Sequence, residues 1–229
     1  MTLILERTVQ NKAQDYLEKK YRRKAKGNRI FSKTEMPTKK KYGSKRADGF
    51  LAFRHFLWGN YVVSIEAKSK KTLPAMKPYR DEFIMVKNCL TMGFYCCLGS
   101  GAFFALFKMD DNLFRFLIPI YTLIISALIY ALFTWRSYRH QTMDVIDQLK
   151  QYPANEKWLA FSKDSFESLN DKKKKDLKKI CRARGIGLLI YGRKISVLNQ
   201  PKFRWSLGKD FIKYYSREKE VRALLENKK

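Results

Sequence analysis

Apolar positions follow two periods along this chain, and each change of period marks an element. Leu5, Val9, Ala13, Tyr16, Leu17 and Tyr21 recur at helical spacing and predict a helix over residues 2–24. Residues 26–46 keep neither period, and Gly27, Pro37 and Gly43 break them into a loop-rich basic region. Two β-branched and aromatic runs, 47–56 and 61–68, predict strands that turn near Gly59-Asn60. Pro74 and Pro78 interrupt the approach to a long apolar middle. Beyond that middle, the pattern predicts a helix over 137–151 and a short strand over 157–161. A Lys-rich helix over 169–184 and a strand over 185–191 come next. An edge strand over 194–199, stopped by Pro201, and a last helix over 208–227 complete the series.

The middle is different in kind. Residues 88–107 and 116–135 are each twenty residues without a charge, the length a helix needs to cross a hydrocarbon core. The connector, 108–115, is short and its charges cancel. Lys77, Arg80 and Lys87 precede the pair; Arg136, Arg139 and His140 come after it. Positive flanks on both sides predict a multi-pass protein of the inner (cytoplasmic) membrane with both termini cytoplasmic. Tyr130, Phe133 and Trp135 would lie at the interface. Gly93, Gly99, Ser100 and Gly101 would let two helices approach closely. The plainer alternative is a pair of buried helices in a soluble core. The expected organisation is therefore 1–80, an apolar hairpin over 81–140, and 141–229. Neither flank looks complete alone, so the two should form one α/β domain with the hairpin inserted. The strand–helix–strand run from Lys157 to Tyr191 is a βαβ unit, whose two strands should be parallel and buried.

Charge narrows the partners. The chain has 48 Lys+Arg against 21 Asp+Glu, a formal net charge of +27. Such an excess calls for a polyanion, either nucleic acid or an anionic lipid surface, and nucleic acid is the stronger expectation. Lys39, Lys40 and Lys41 with Tyr42, extended by Lys45 and Arg46, are the best candidates for phosphate-backbone contact. Lys172 to Lys175 reads as a solvated helix start, with contact to a phosphate backbone as the alternative. The four cysteines (Cys89, Cys96, Cys97, Cys181) have neither metal-ligand nor disulfide spacing, which fits free thiols in a reducing compartment. No basic n-region precedes the first apolar residues, so no signal peptide is expected.

The candidate chemistry lies at the strand ends. Asp48 opens the first strand, and Glu66-Ala67-Lys68 closes the second. Two carboxylates at neighbouring strand ends can hold a hard divalent cation, Mg2+ or Mn2+, through oxygen. Such a cation polarises a phosphoryl group and acidifies a water. An ammonium beside it offsets phosphate charge. The three side chains share a face in one set of registers only. Pairing Leu57 with Tyr61 moves Asp48 opposite Lys70, too far along the strand. Pairing Arg54 with Asn60 across a five-residue loop sets Asp48 opposite Glu66. The second register is expected. Blander readings exist for each residue: Asp48-Gly49 as a turn, Glu66 and Lys68 as a solvated ion pair, Glu6 as a first-turn acid. His55 and His140 are isolated. Trp158, Phe161 and Tyr191 read as core.

This pattern of helix, strands, Asp48 and Glu66-Ala67-Lys68 resembles the PD-(D/E)xK, or restriction-endonuclease-like, nuclease superfamily. Its core runs helix, three-stranded meander, helix, strand, and the likeness covers about 3–71 and 155–199. Ala47 stands where the eponymous proline would be. The resemblance implies metal ligation by Asp48 and Glu66, a catalytic role for Lys68, and a further metal-binding glutamate on the first helix. Glu6 falls there, with Glu18 the next choice. Many members add a Gln on the helix after the Lys, and none stands between Lys68 and Asn88. Residues 181–189, CRARGIGLL, resemble the helix-to-strand junction of the superfamily.

The functional expectation is a membrane-anchored, Mg2+- or Mn2+-dependent endonuclease acting on DNA before RNA, in antiviral defence or DNA processing. The alternative is a non-catalytic membrane tether for nucleic acid, or a subunit of a larger membrane assembly. In that case the hairpin would pack on partner helices or on a second copy.

Overall fold

A computed structural model of the protein describes residues 5–55, 57, 59–69, 76–106, 112–204 and 210–226, without the side chains of 104–106 and 112–116. Pro74, half of the 108–115 connector and both ends of the expected 208–227 helix lie outside these residues. The chain forms two compact units, one from residues 1–78 with 143–229 and one from residues 79–142.

The first unit is α/β. Helix α1 (Glu6–Arg22) carries Glu6 in its first turn and Lys19, Lys20 and Arg22 in its last, in line with the helix dipole. Lys26 and Gly27 then take positive φ angles of 46° and 84°, which turns the chain out of helical geometry. Strand β1 (Ile30–Pro37) comes next, and a 3-10 turn at Lys40–Tyr42 leads to β2 (Arg46–His55) and β3 (Gly59–Lys68). The expected loop over 26–46 is thus a strand and a turn. Its alternation is hidden because β1 is an edge strand with Lys33 and Glu35 among its residues. Glu35 adopts a left-handed φ of 53° and drops out of the ladder between Thr34 and Met36.

The β2–β3 ladder pairs Arg54 with Asn60 and Gly49 with Ile65. This is the register that brings Asp48 level with Glu66. Pairing continues to His55 and Gly59, so the connection is residues 56–58, shorter than the expected five. Strand β6 (Glu156–Ser162) lies parallel to β3, and β7 (Gly187–Tyr191) lies parallel to β6. Helices α5 (Lys163–Glu167) and α6 (Asp171–Arg184) link those two strands, and β8 (Ile195–Asn199) closes the sheet antiparallel to β7. The result is a mixed six-stranded sheet of order β1-β2-β3-β6-β7-β8. Every residue of β6 is buried, as a central parallel strand requires.

The two faces of the sheet are covered differently. Val9, Ala13, Leu17 and Tyr21 of α1 pack on Leu51, Phe53, Val63, Ile65 and Ala67. The opposite face buries Phe50, Ala52 and Val62 under Ile212, Tyr215 and Val221. Ile212 comes from a 3-10 turn (Phe211–Tyr214), Tyr215 follows that turn, and Val221 comes from helix α7 (Glu218–Glu226); the expected last helix divides into these pieces. A short helix, α4 (Asp144–Lys150), precedes β6. The helix expected over 137–151 is therefore reduced to α4, preceded by a 3-10 turn at Tyr138–His140 and strand β5 (Gln141–Thr142).

The second unit is a helical hairpin. Helices α2 (Glu82–Leu106) and α3 (Asn112–Thr134) are long and apolar enough to cross a membrane. Gly93 permits their contact, since a Cβ there would lie 2.7 Å from the Leu123 carbonyl oxygen. At the base, β4 (Tyr79–Arg80) pairs with β5, and the Asp81 carboxylate accepts from the Ile84 N–H to cap α2. The Arg80 guanidinium stacks 3.6 Å from the Trp135 ring centroid. His140 is buried with its ring edge-on to Tyr130.

Candidate active site

Side-chain alternation along β2 and β3 sets the site. Asp48 lies in phase with Phe50 and Ala52, and Glu66 and Lys68 lie in phase with Val62. All belong to the sheet face turned away from α1. The residues between them, Gly49, Ile65 and Ala67, face α1. Gly49 is part of β2 and not of a turn. A Cβ there would meet Ile65 Cδ1 at 2.9 Å and Gln14 Oε1 at 3.0 Å, so glycine allows α1 to come close. Helix α1 in turn holds the strand. Gln10 Nε2 donates to the Asp48 carbonyl, opposite the place where Glu35 leaves the β1 ladder. Gln14 Nε2 donates to Ser32 Oγ at 2.8 Å.

The regular β2–β3 pairing ends at Gly49 and Ile65. Beyond it, the Ala67 N–H donates to Asp48 Oδ2 at 2.7 Å, so a carboxylate replaces the strand backbone. Glu66 is fully buried, and Lys68 is only 6 % exposed. Their ion pair, Lys68 Nζ to Glu66 Oε1 at 2.6 Å, is consequently not the solvated surface pair of the blander reading. The second Glu66 oxygen, Oε2, is buried and accepts no hydrogen bond among the described residues. Burial first, then the Asp48 charge, pushes the Glu66 carboxyl up to about 7, against the pull of Lys68. Asp48 is also raised, by burial, while the Ala67 N–H and Lys68 act in the other direction. Glu6 contributes to both shifts. Its Oε2 accepts from Ser69 Oγ at 3.2 Å, just past the end of β3. Glu18 pairs instead with Arg22, one helical turn along α1.

Three residues here escaped the sequence reading. Tyr152 is buried, and its hydroxyl donates to the Arg46 carbonyl at 2.7 Å. Gln148, on α4, and Glu66 flank that hydroxyl, and burial followed by the Glu66 charge raises its pKa. A glutamine on a helix after Lys68 therefore does exist, beyond the apolar hairpin. Lys157 pins this arrangement: its Nζ donates to the Leu149 and Lys150 carbonyls, each at 2.9 Å, at the C-terminal end of α4. Burial, then Arg204 and Lys150, lowers its amine to about 7.

The donor set suits a hard cation. Asp48 and Glu66 offer carboxylate oxygens, and Glu66 Oε2 is a buried acceptor without a donor among the described residues. Among the described residues, no three His, Cys, Asp or Glu side chains converge closely enough to enclose a metal ion. A cation held here would thus take Asp48 and Glu66 from the protein and complete its shell with water or substrate oxygen. Of the expected phosphate-contacting residues, Lys39 is paired with Glu218, and Arg46 with Glu35 at 3.1 Å. Lys40, Lys41 and Lys45 are exposed. No family model, curated protein or solved structure matches this chain.

Proposed function

We propose that this protein is a membrane-anchored, divalent-metal-dependent nuclease of restriction-endonuclease-like fold. It cleaves phosphodiester bonds, of DNA before RNA, at the cytoplasmic face of the inner membrane, with both termini cytoplasmic. A role in antiviral defence or DNA processing suits an enzyme held at the bilayer. The observation that carries this reading is the convergence of Asp48, Glu66 and Lys68 on one sheet face, with Glu66 buried and one of its oxygens unbonded among the described residues. A helix, a three-stranded meander and a parallel βαβ unit surround those residues, which supports the fold assignment. Two apolar helices support the anchor.

Asp48 and Glu66 are the metal-binding residues in this reading, with Glu6 near enough to add charge. Mg2+ or Mn2+, when bound, supplies charge against the scissile phosphate and an acidified water. Lys68 shifts from Glu66 toward the phosphate and offsets its charge. Tyr152, with Gln148 at its hydroxyl, lies beside the Glu66 carboxylate. The test is cleavage of DNA and RNA by the full-length protein in detergent, with Mg2+ or Mn2+. Asp48→Asn, Glu66→Gln and Lys68→Ala should each lower the rate at least about 100-fold. Intact substrate in both metals, with Glu66→Gln indistinguishable from the parent, defeats the proposal. It would leave the second reading, a non-catalytic tether or assembly subunit. The direct Lys68–Glu66 pair and the lack of a third converging ligand among the described residues favour that second reading.

A further inference from the structure

Tyr42 and Tyr214 are far apart in sequence, yet their ring centroids lie 4.6 Å apart. Backbone contacts hold them together. The Lys39 N–H donates to the Tyr214 carbonyl at 2.9 Å, the Ser216 N–H donates to the Pro37 carbonyl at 3.1 Å, and Thr38 bridges Tyr215. A cation sits over each ring: Lys41 Nζ is 5.0 Å from the Tyr42 centroid, and Lys213 Nζ is 5.3 Å from that of Tyr214. Lys40 and Lys45 stand exposed around the same turn, where Gly43 and Ser44 take positive φ angles of 91° and 49°. None of these four lysines forms an ion pair among the described residues. Phe211 and Tyr214 pack against the cluster that holds Phe50, Ala52 and Val62, which is the face of Asp48 and Glu66. Arg46, at the start of β2, precedes Asp48 by two residues, about 7 Å along the strand.

We propose that this patch seats a single-stranded nucleic-acid segment, with bases on Tyr42 and Tyr214 and phosphates on Lys40, Lys41, Lys45 and Lys213, at the end of β2 that carries Asp48. It deepens the nuclease reading and rests on it for what happens to the seated strand. Aromatic rings gain from unpaired bases, whose π-faces are open, whereas a duplex offers such a surface mainly its phosphates. A lipid surface fits less well. Tyr42 is only 37 % exposed, and the two rings lie against each other instead of projecting as anchors.

The test measures binding apart from cleavage. Full-length protein in detergent, without divalent metal, is titrated into a fluorescent oligothymidylate of about 12 nucleotides, a length within the usual range of single-strand sites. The same titration is run with a duplex of equal length and with anionic vesicles. Tyr42→Ala and Tyr214→Ala should each weaken single-strand binding about tenfold or more, with Tyr42→Phe and Tyr214→Phe close to the parent. Duplex binding should be unchanged by the tyrosine variants and weakened, with a shallower salt dependence, by Lys41→Gln with Lys213→Gln. If Tyr214→Ala lowers the unfolding temperature, the exposed Tyr42→Ala still decides. Single-strand binding that ignores Tyr42→Ala overturns the proposal. So does an equal loss for duplex, or tyrosine-dependent binding to vesicles alone. If binding behaves as expected but no metal supports cleavage, the hydrolase reading fails and the seat stands.

Discussion

Glu66 shows how one residue couples stability to the site. Its carboxyl is raised from the usual 4.5 to about 7, so the folded chain holds that proton more tightly than the unfolded one. Across this window the folded state binds more protons, and stability must fall as pH rises from about 4.5 to about 7. The shift is worth on the order of 3 kcal/mol, at 1.36 kcal/mol per pKa unit. Asp48, also raised, adds in the same direction. We expect the urea midpoint of the full-length protein in detergent to be lower at pH 8 than at pH 5. Glu66→Gln should flatten that difference, and an unflattened profile would refute the assignment. A cation competing for the same oxygens should restore more stability at pH 8 than at pH 6, because it displaces no proton there. Asp48, Glu66 and Lys68 could be found in the sequence because residues of like parity on paired strands share a face. Tyr152, Gln148 and Lys157 could not, because an apolar hairpin separates them from β3 and no short spacing links them to it.

At the scale of elements, close packing explains what side-chain pattern alone does not. Gly187 begins β7 beside Trp158 of β6. A Cβ on Gly187 would lie 2.6 Å from Trp158 Cδ2, inside an indole that is fully buried and whose Nε1 donates to the Tyr21 hydroxyl at 2.9 Å. Gly187→Ala must therefore displace either the ring or the strand. We expect a loss of about 1–3 kcal/mol, the usual cost of overpacking, read as a lower denaturation midpoint. A neutral result would mean that β6 and β7 are not spaced as described. Strand β1 shows the opposite case. Its residues 33–35 are Lys-Thr-Glu, and its alternation is broken where Glu35 turns left-handed, so the hydrophobic period that announces β2 and β3 is missing. The helix expected over 137–151 failed for another reason: β5 pairs with β4, which extends the chain at a place where local propensity favours helix.

At the scale of the molecule, the sheet is completed by strands from both sides of the hairpin. Strand β3 pairs with β2 on one edge and with β6 on the other, so residues 1–78 alone leave a long apolar strand edge without its partner. Replacing residues 79–142 by a flexible Gly/Ser linker should preserve a cooperatively unfolding protein, because the unit of residues 1–78 and 143–229 keeps its own core. Residues 1–78 expressed alone should show no cooperative transition. Circular dichroism through a thermal ramp distinguishes these outcomes, and a folded 1–78 fragment would contradict this account.

The sequence by itself determined what depends on period and charge. These are the apolar hairpin, the amphipathic first helix, the paired strands carrying Asp48 and Glu66-Ala67-Lys68, and the +27 charge balance. Such features are local, since each arises from which neighbours along the chain share a face. Only the tertiary structure decided that Glu66 and Lys68 are buried, that Tyr152 stands beside Glu66 with Gln148 at its hydroxyl, and that Tyr42 meets Tyr214. Those facts depend on contacts across many residues of chain, and burial, unlike period, is a property of what the rest of the molecule places on top.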